Sequence, residues 1–404
     1  MRSSKLPASF WGMRFWEIQA RARSMSQPQE ILVRGPNWTG DLIMATPGFR
    51  ALRSGFPGAR LTLHLRAELH PLVAGAPWFD EVLPLDSYGK GAAALIREGR
   101  SLRTRHFDLG ICLPDSFSSA LLMRWAGVRS IVGYRRNGRG ALLHHRVAPP
   151  KTGGRRLMIA REQHVLGLVE SVGCPPQGTE LELHVTEAEE AEARQSLQDR
   201  GLREGEAIAV LAPGASYGPS KIWPPAGFAR VGDALAEAGA SVLLVGTAAE
   251  RELSGQVLSA MKKPAFDLTG ELGLGALKAV VRRARVLICN DAGTRHIAAA
   301  FGIPCVVVMG PTALEKTSLN LERVKVLFAD VDCRPCYLRE CPIDHRCMTR
   351  VSAERVAREA LPALSPEAEG RWRGEVVKVL DGPPGATGAG LDGGEGGSPP
   401  GAAA

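Results

Sequence analysis

At 404 residues the chain exceeds what one hydrophobic core usually organises, so two domains of about 150 to 200 residues are expected. A composition of 45% hydrophobic and 23% charged residues, with no apolar run near the ~20 residues that cross a bilayer, predicts a soluble globular protein and excludes a helical membrane protein. The formal charge of +8 points to acidic partners, yet aromatics are only 5% and no basic run is interleaved with stacking platforms, which disfavours nucleic acid.

Residues 1–28 form a basic extension with no acidic residue before Glu17, and the apolar stretch Phe10 to Phe15 is too short for a signal-peptide core. A cytoplasmic protein is expected. The extension reads equally as an over-long start ahead of Met25, a disordered tail, or a Trp-bearing helix touching a membrane surface.

From Ile31 short apolar runs alternate with amphipathic stretches. Strands are predicted at Ile31–Arg34, Leu61–Leu65, Glu81–Leu85, Asp108–Leu113 and Ser130–Tyr134. This is the rhythm of a parallel sheet covered by helices on both faces. It breaks over residues 149–204, where Pro and Gly pairs precede a charged helix from Thr186 to Arg200, and then resumes. Further strands are predicted at Ala207–Leu211, Ser241–Val245, Phe266–Leu268, Val286–Cys289 and Cys305–Met309, with a closing helix over Val351–Leu361. The expected organisation is an α/β fold of two doubly wound, Rossmann-like domains, 29–195 and 196–365, followed by a disordered Gly/Pro-rich tail over 366–404. In such sheets ligands bind beyond the carboxyl ends of the strands.

Three post-strand loops carry chemistry. After the first strand, Pro36-Asn37-Trp38-Thr39-Gly40-Asp41 leads into a helix, and Asp41 reads either as a helix N-cap or as a general base in the interdomain cleft. A free Asp titrates near 4, so the base role would need partial burial against Trp38 and apolar neighbours. The segment Pro213 to Pro224 brings two glycines, Ser216, Tyr217, Ser220 and Lys221 into one loop suited to a phosphate. Lys221 would neutralise a departing diphosphate, or simply be solvated at a helix start. After Val286–Cys289, the stretch Asn290-Asp291-Ala292-Gly293-Thr294-Arg295-His296 feeds directly into a helix, so backbone N–H groups of 292–294 can face a pyrophosphate. His296 reads as a second phosphate partner or as an ordinary helix-face histidine. Glu250 is placed either to take ribose hydroxyls or merely to open a helix.

The three loops, in this order over roughly residues 30–362, resemble glycosyltransferase family 9, which contains the lipopolysaccharide heptosyltransferases. The resemblance implies the GT-B fold, and inverting transfer of L-glycero-D-manno-heptose from ADP-heptose to the lipid A–Kdo–heptose inner core, with no cofactor required. It implies Asp41 as base, diphosphate contacts for Lys221, Asp291, Gly293 and His296, and Ser216 and Tyr217 near the nucleotide sugar. Contact with the cytoplasmic face of the inner membrane follows from such an acceptor. An anionic core would also suit the basic charge, with Arg135, Arg136 and Arg139 as candidate contacts unless they form a solvated loop. An epimerase or hydrolase of the same fold, or a non-catalytic nucleotide-sugar binding protein, remains open at this point. The first is disfavoured by the single well-placed carboxylate of the first domain. The second is disfavoured by Asp41, because binding an anionic acceptor gains nothing from another negative charge.

Of eight cysteines, Cys112, Cys174, Cys289 and Cys305 sit in apolar contexts and read as buried thiols, whereas Cys333, Cys336, Cys341 and Cys347 crowd together around His345. That spacing suggests a structural zinc or an iron–sulfur cluster ahead of reduced thiols or disulfides.

Overall fold

A computed structural model describes residues 28–365 and 372–379 of the chain, so nearly all of the basic extension and most of the Gly/Pro-rich tail lie outside it. The runs Ile31-Leu32-Val33 and Ile208-Ala209-Val210-Leu211 are fully buried or nearly so, which is why each seeds the centre of a parallel sheet with both faces covered.

The first sheet contains β1 (Glu30–Arg34), β2 (Arg60–Leu65), β3 (Glu81–Pro84), β4 (Leu109–Cys112), β5 (Ser130–Tyr134) and β6 (His145–Val147), in the order β3-β2-β1-β4-β5-β6. After a two-stranded hairpin of β7 (Lys151–Thr152) and β8 (Arg155–Arg156) come β9 (Ile208–Ala212), β10 (Ser241–Leu244), β11 (Phe266–Asp267), β12 (Val286–Asn290), β13 (Cys305–Val308), β14 (Val324–Ala329) and β15 (Glu375–Val379). These seven order as β11-β10-β9-β12-β13-β14-β15. Every pairing in the two large sheets is parallel. In each half the strand order reverses beside the first strand, between β1 and β4 and between β9 and β12, so the loops after β1, β9 and β12 open at the two switch points.

The expected strands are all present, and β6, β7, β8, β14 and β15 are additional. The last lies within the segment expected to be a disordered tail. Val377 and Val379 are buried, Val376 is exposed, and the strand pairs with β14 from Lys325↔Glu375 to Ala329↔Val379. Its five residues are too few to register against the Gly and Pro that surround them.

The helix Glu187–Gln198 starts with a capping box between Thr186 and Glu189. It packs on the helix Leu274–Arg283 of the second half, where Glu189 meets Lys278 Nζ at 3.0 Å and Glu190 accepts from Arg283 Nε at 2.8 Å. These contacts tie the helix to the second half. Among the described residues no helix is long and apolar enough to cross a membrane.

Candidate active site

The loops of the two switch points face one cleft of about 1270 Å³, lined from the first half by Asn37 to Asp41 and from the second by Ser216, Tyr217, Lys221, Glu250 and Asp291 to Thr294. Asp41 sits inside the short helix Thr39–Ile43, whose N-cap is the extended Trp38; no side chain caps it, so the cap reading of Asp41 is not realised. Its side chain is 33% exposed and lies 3.4 Å from Arg161 Nε.

Two glycines let the halves touch here. A Cβ added at Gly40 would meet the His296 ring at 3.0 Å, and one at Gly293 would meet Thr39 at 2.7 Å. The base candidate is thereby set one residue from the contact with the second domain.

Lys221 closes a 3₁₀ turn, Pro219–Lys221, and donates from Nζ to Asp291 Oδ2 (2.6 Å) and to the Asp291 carbonyl (2.9 Å). Asp291 also accepts from Arg295 (2.9 Å) and Thr312 Oγ1 (2.7 Å). Burial alone would raise this carboxyl, but the charges of Lys221 and Arg295 outweigh it and hold Asp291 well below the usual carboxylate range. Its place is thus to fix Lys221, and an ammonium with three donors keeps one for the cleft. Next to it, Asn290 accepts from Trp223 N (3.0 Å) and donates to the Pro213 carbonyl (2.6 Å), tying both ends of the 213–224 loop to β12.

The helix Gly293–Ala300 begins at Ala292 without a side-chain cap, its first residues line the cleft, and the buried Thr294 hydroxyl has no hydrogen-bond partner. His296 is buried, and desolvation, reinforced by Arg295, pushes it down to about 3. It is a neutral hydrogen-bonding group and brings no charge. Glu250 caps its own turn by accepting from Thr247 N (2.7 Å) and Thr247 Oγ1 (2.9 Å), while its carboxylate fills the space beside Gly214. The helix-opening reading of Glu250 holds, at a position that lines the cleft.

The arginine expectation needs correction. Arg139 is fully buried, donating to the Tyr134 carbonyl (3.0 Å) and Ser119 Oγ (3.2 Å), and cannot reach an acceptor. Arg135 is exposed and does not line the cleft; Arg136 does, paired with Asp115. The sequence reading missed Arg66, Arg161 and Lys316, which also line it, because each is an isolated cation in an unremarkable context.

The cysteine cluster is also arranged differently from the expectation. Among the described residues no group of three or more His, Cys, Asp or Glu side chains is placed to hold a metal ion. All four thiols are free; Cys333 and Cys336 are exposed and Cys347 is buried. Burial, with the neighbouring Cys333, Cys341 and Cys336, pushes the Cys347 thiol up to about 11. The segment instead braces the 213–224 loop through polar atoms. Ser220 Oγ donates to the Leu338 carbonyl (2.6 Å), Ser220 N to the Arg339 carbonyl (3.0 Å), and His345 Nε2 lies 2.7 Å from the Ser220 carbonyl.

The family profile described as glycosyltransferase family 9 (heptosyltransferase) matches residues 95–346, more than half of the chain. The chain belongs to this family. It is 28% identical over 310 residues to lipopolysaccharide heptosyltransferase 2 of Escherichia coli K12, spanning 74% of this chain and 87% of that one. It is 25% identical over 350 residues to lipopolysaccharide heptosyltransferase 1 of Pseudomonas aeruginosa, spanning 79% and 93%. The solved structure of E. coli ADP-heptose lps heptosyltransferase II superposes with a TM-score of 0.69 at 26% identity, covering 84% of this chain and 99% of that one. The family 9 chain therefore has the GT-B arrangement of two Rossmann-like domains, and it is a glycosyltransferase.

Proposed function

We propose that this family 9 enzyme transfers L-glycero-D-manno-heptose from ADP-heptose to the heptose of a lipid A–Kdo–heptose inner core, inverting the anomeric centre. The observation that carries the reading is that Asp41 and the Lys221–Asp291 pair face the same cleft from opposite domains. The names of the E. coli and P. aeruginosa relatives support the donor and the lipopolysaccharide acceptor.

Asp41 takes the proton of the acceptor hydroxyl as its oxygen bonds to C1 of the heptose. The bond from C1 to the diphosphate breaks, and the electron pair leaves with ADP. Charge grows on the diphosphate, where the free N–H of Lys221 and the N–H groups at Gly293 and Thr294 can receive it. A diphosphate needs charge stabilisation more than protonation, so no cofactor is required. Ser216, Tyr217 and Glu250 line the same cleft, which supports their contacting the nucleoside and sugar, and Arg136 is the cation of the former trio that can meet the anionic acceptor. A lipid-linked acceptor places the reaction at the cytoplasmic face of the inner membrane, by peripheral contact.

Incubating the protein with ADP-heptose and a panel of truncated cores, then weighing the products, tests this. Gain of one heptose by the Kdo–heptose core supports the reading; heptose gain only by a core ending in Kdo, or only by a more extended core, assigns a different acceptor.

A further inference from the structure

Arg161 is the first residue of the helix Arg161–Glu170, where the positive end of the helix dipole disfavours a cation. Its Nε is buried and has no hydrogen-bond partner, because at 3.4 Å from Asp41 Oδ1 it makes an ion pair without hydrogen-bond geometry. Among the described residues it is the cation paired with Asp41, and Oδ2 of Asp41 has no partner there. Other charges nearby are already engaged: Arg136 and Arg139 pair with Asp115, and His164 Nε2 lies 3.4 Å from the same carboxylate. The next residue, Glu162, accepts from Asn320 of the second half at 3.1 Å, so the start of this helix is fixed against both domains.

We propose that Arg161 is the positioning residue for the base: it draws Oδ1 to one side and presents Oδ2 to the acceptor hydroxyl. This rests on Asp41 acting as base. A neighbouring cation makes a carboxylate a weaker base, so the gain must come from orientation, and a misplacement near 1 Å is enough to cost about 100-fold.

The test is steady-state kinetics of full-length Arg161→Met and Arg161→Lys with ADP-heptose and a Kdo–heptose core, with ADP affinity as the check of folding. Arg161→Met should lower kcat by about 10- to 100-fold, with acceptor KM and ADP Kd within about threefold of wild type. Arg161→Lys should recover at least about half of that loss on a logarithmic scale, since a single-point contact does not demand a planar fork. If Arg161→Met fails to bind ADP, Arg161→Gln takes its place. An unchanged kcat, a lysine variant no better than the methionine one, or a tenfold rise in acceptor KM at constant kcat overturns the proposal; the last would make Arg161 an acceptor ligand. Asp41→Asn run in parallel separates the two readings: if it retains turnover, the base assignment fails, whereas loss there with a normal Arg161→Met rejects only the positioning role.

Discussion

Lys221 grips Asp291 at two points, the carboxylate Oδ2 at 2.6 Å and the backbone carbonyl at 2.9 Å, and so joins the loop after β9 to the loop after β12. The two partners have unequal alternatives. Without Lys221, Asp291 keeps Arg295 and Thr312; without Asp291, Lys221 and Arg295 are both left without a carboxylate in a buried site. Asp291→Ala should therefore destabilise the fold by about 3 to 5 kcal/mol, and Lys221→Ala by clearly less. Thermal denaturation checks the order. Lys221→Ala should instead lose turnover by about 100-fold or more and weaken ADP binding, read by kinetics and calorimetry.

Asp41→Asn preserves size but removes the carboxylate that accepts the proton. Turnover should fall by about 100- to 10,000-fold, with ADP affinity within about twofold of wild type. Retention of more than a tenth of wild-type activity would exclude Asp41 as base.

Glu162 is 1% exposed, and one of its carboxylate oxygens has no partner. Burial pushes this carboxyl up from 4.5 to about 7, Asn320 opposing the effect only in part. A carboxyl raised on folding contributes stability that is fully present below about pH 4.5 and is lost as pH rises through about 7. The gap corresponds to about 3 kcal/mol. Glu162→Gln should accordingly be close to neutral at pH 4.5 and stabilising by a large part of that amount at pH 8, flattening the pH dependence of Tm. Equal effects at both values would refute this account.

Arg136 and Arg139 share Asp115 but differ in exposure, which separates their roles. Burial opposes ionisation of Asp115, while His164, Arg136 and Arg139 together keep it below the usual carboxylate range. Arg139→Ala should cost about 3 kcal/mol or more of stability, since it leaves the Tyr134 and Pro114 carbonyls without their donor. Arg136→Ala should leave Tm nearly unchanged and raise acceptor KM. Denaturant unfolding and acceptor titrations distinguish the two.

The sequence alone determined the two parallel sheets, because strands buried on both faces must read as unbroken Val, Ile and Leu runs, and because the Gly-containing loops that follow them are local features. It also placed Asp41, Lys221 and the 290–296 loop, each coded within a few consecutive residues. Tertiary structure decided what local coding cannot hold. It gave Asp291 and Glu250 supporting contacts, buried Arg139, brought Arg66, Arg161 and Lys316 to the cleft from distant points in the chain, and added β15 to a sheet through backbone pairing that its flanking glycines conceal. The four crowded cysteines show the same limit: their spacing suggested a metal cage, but the folded segment spends its polar atoms on the Tyr217–Lys221 loop and leaves two thiols exposed. Spacing along a chain fixes which ligands could meet; the angles at which the backbone delivers them are set by everything that packs against it.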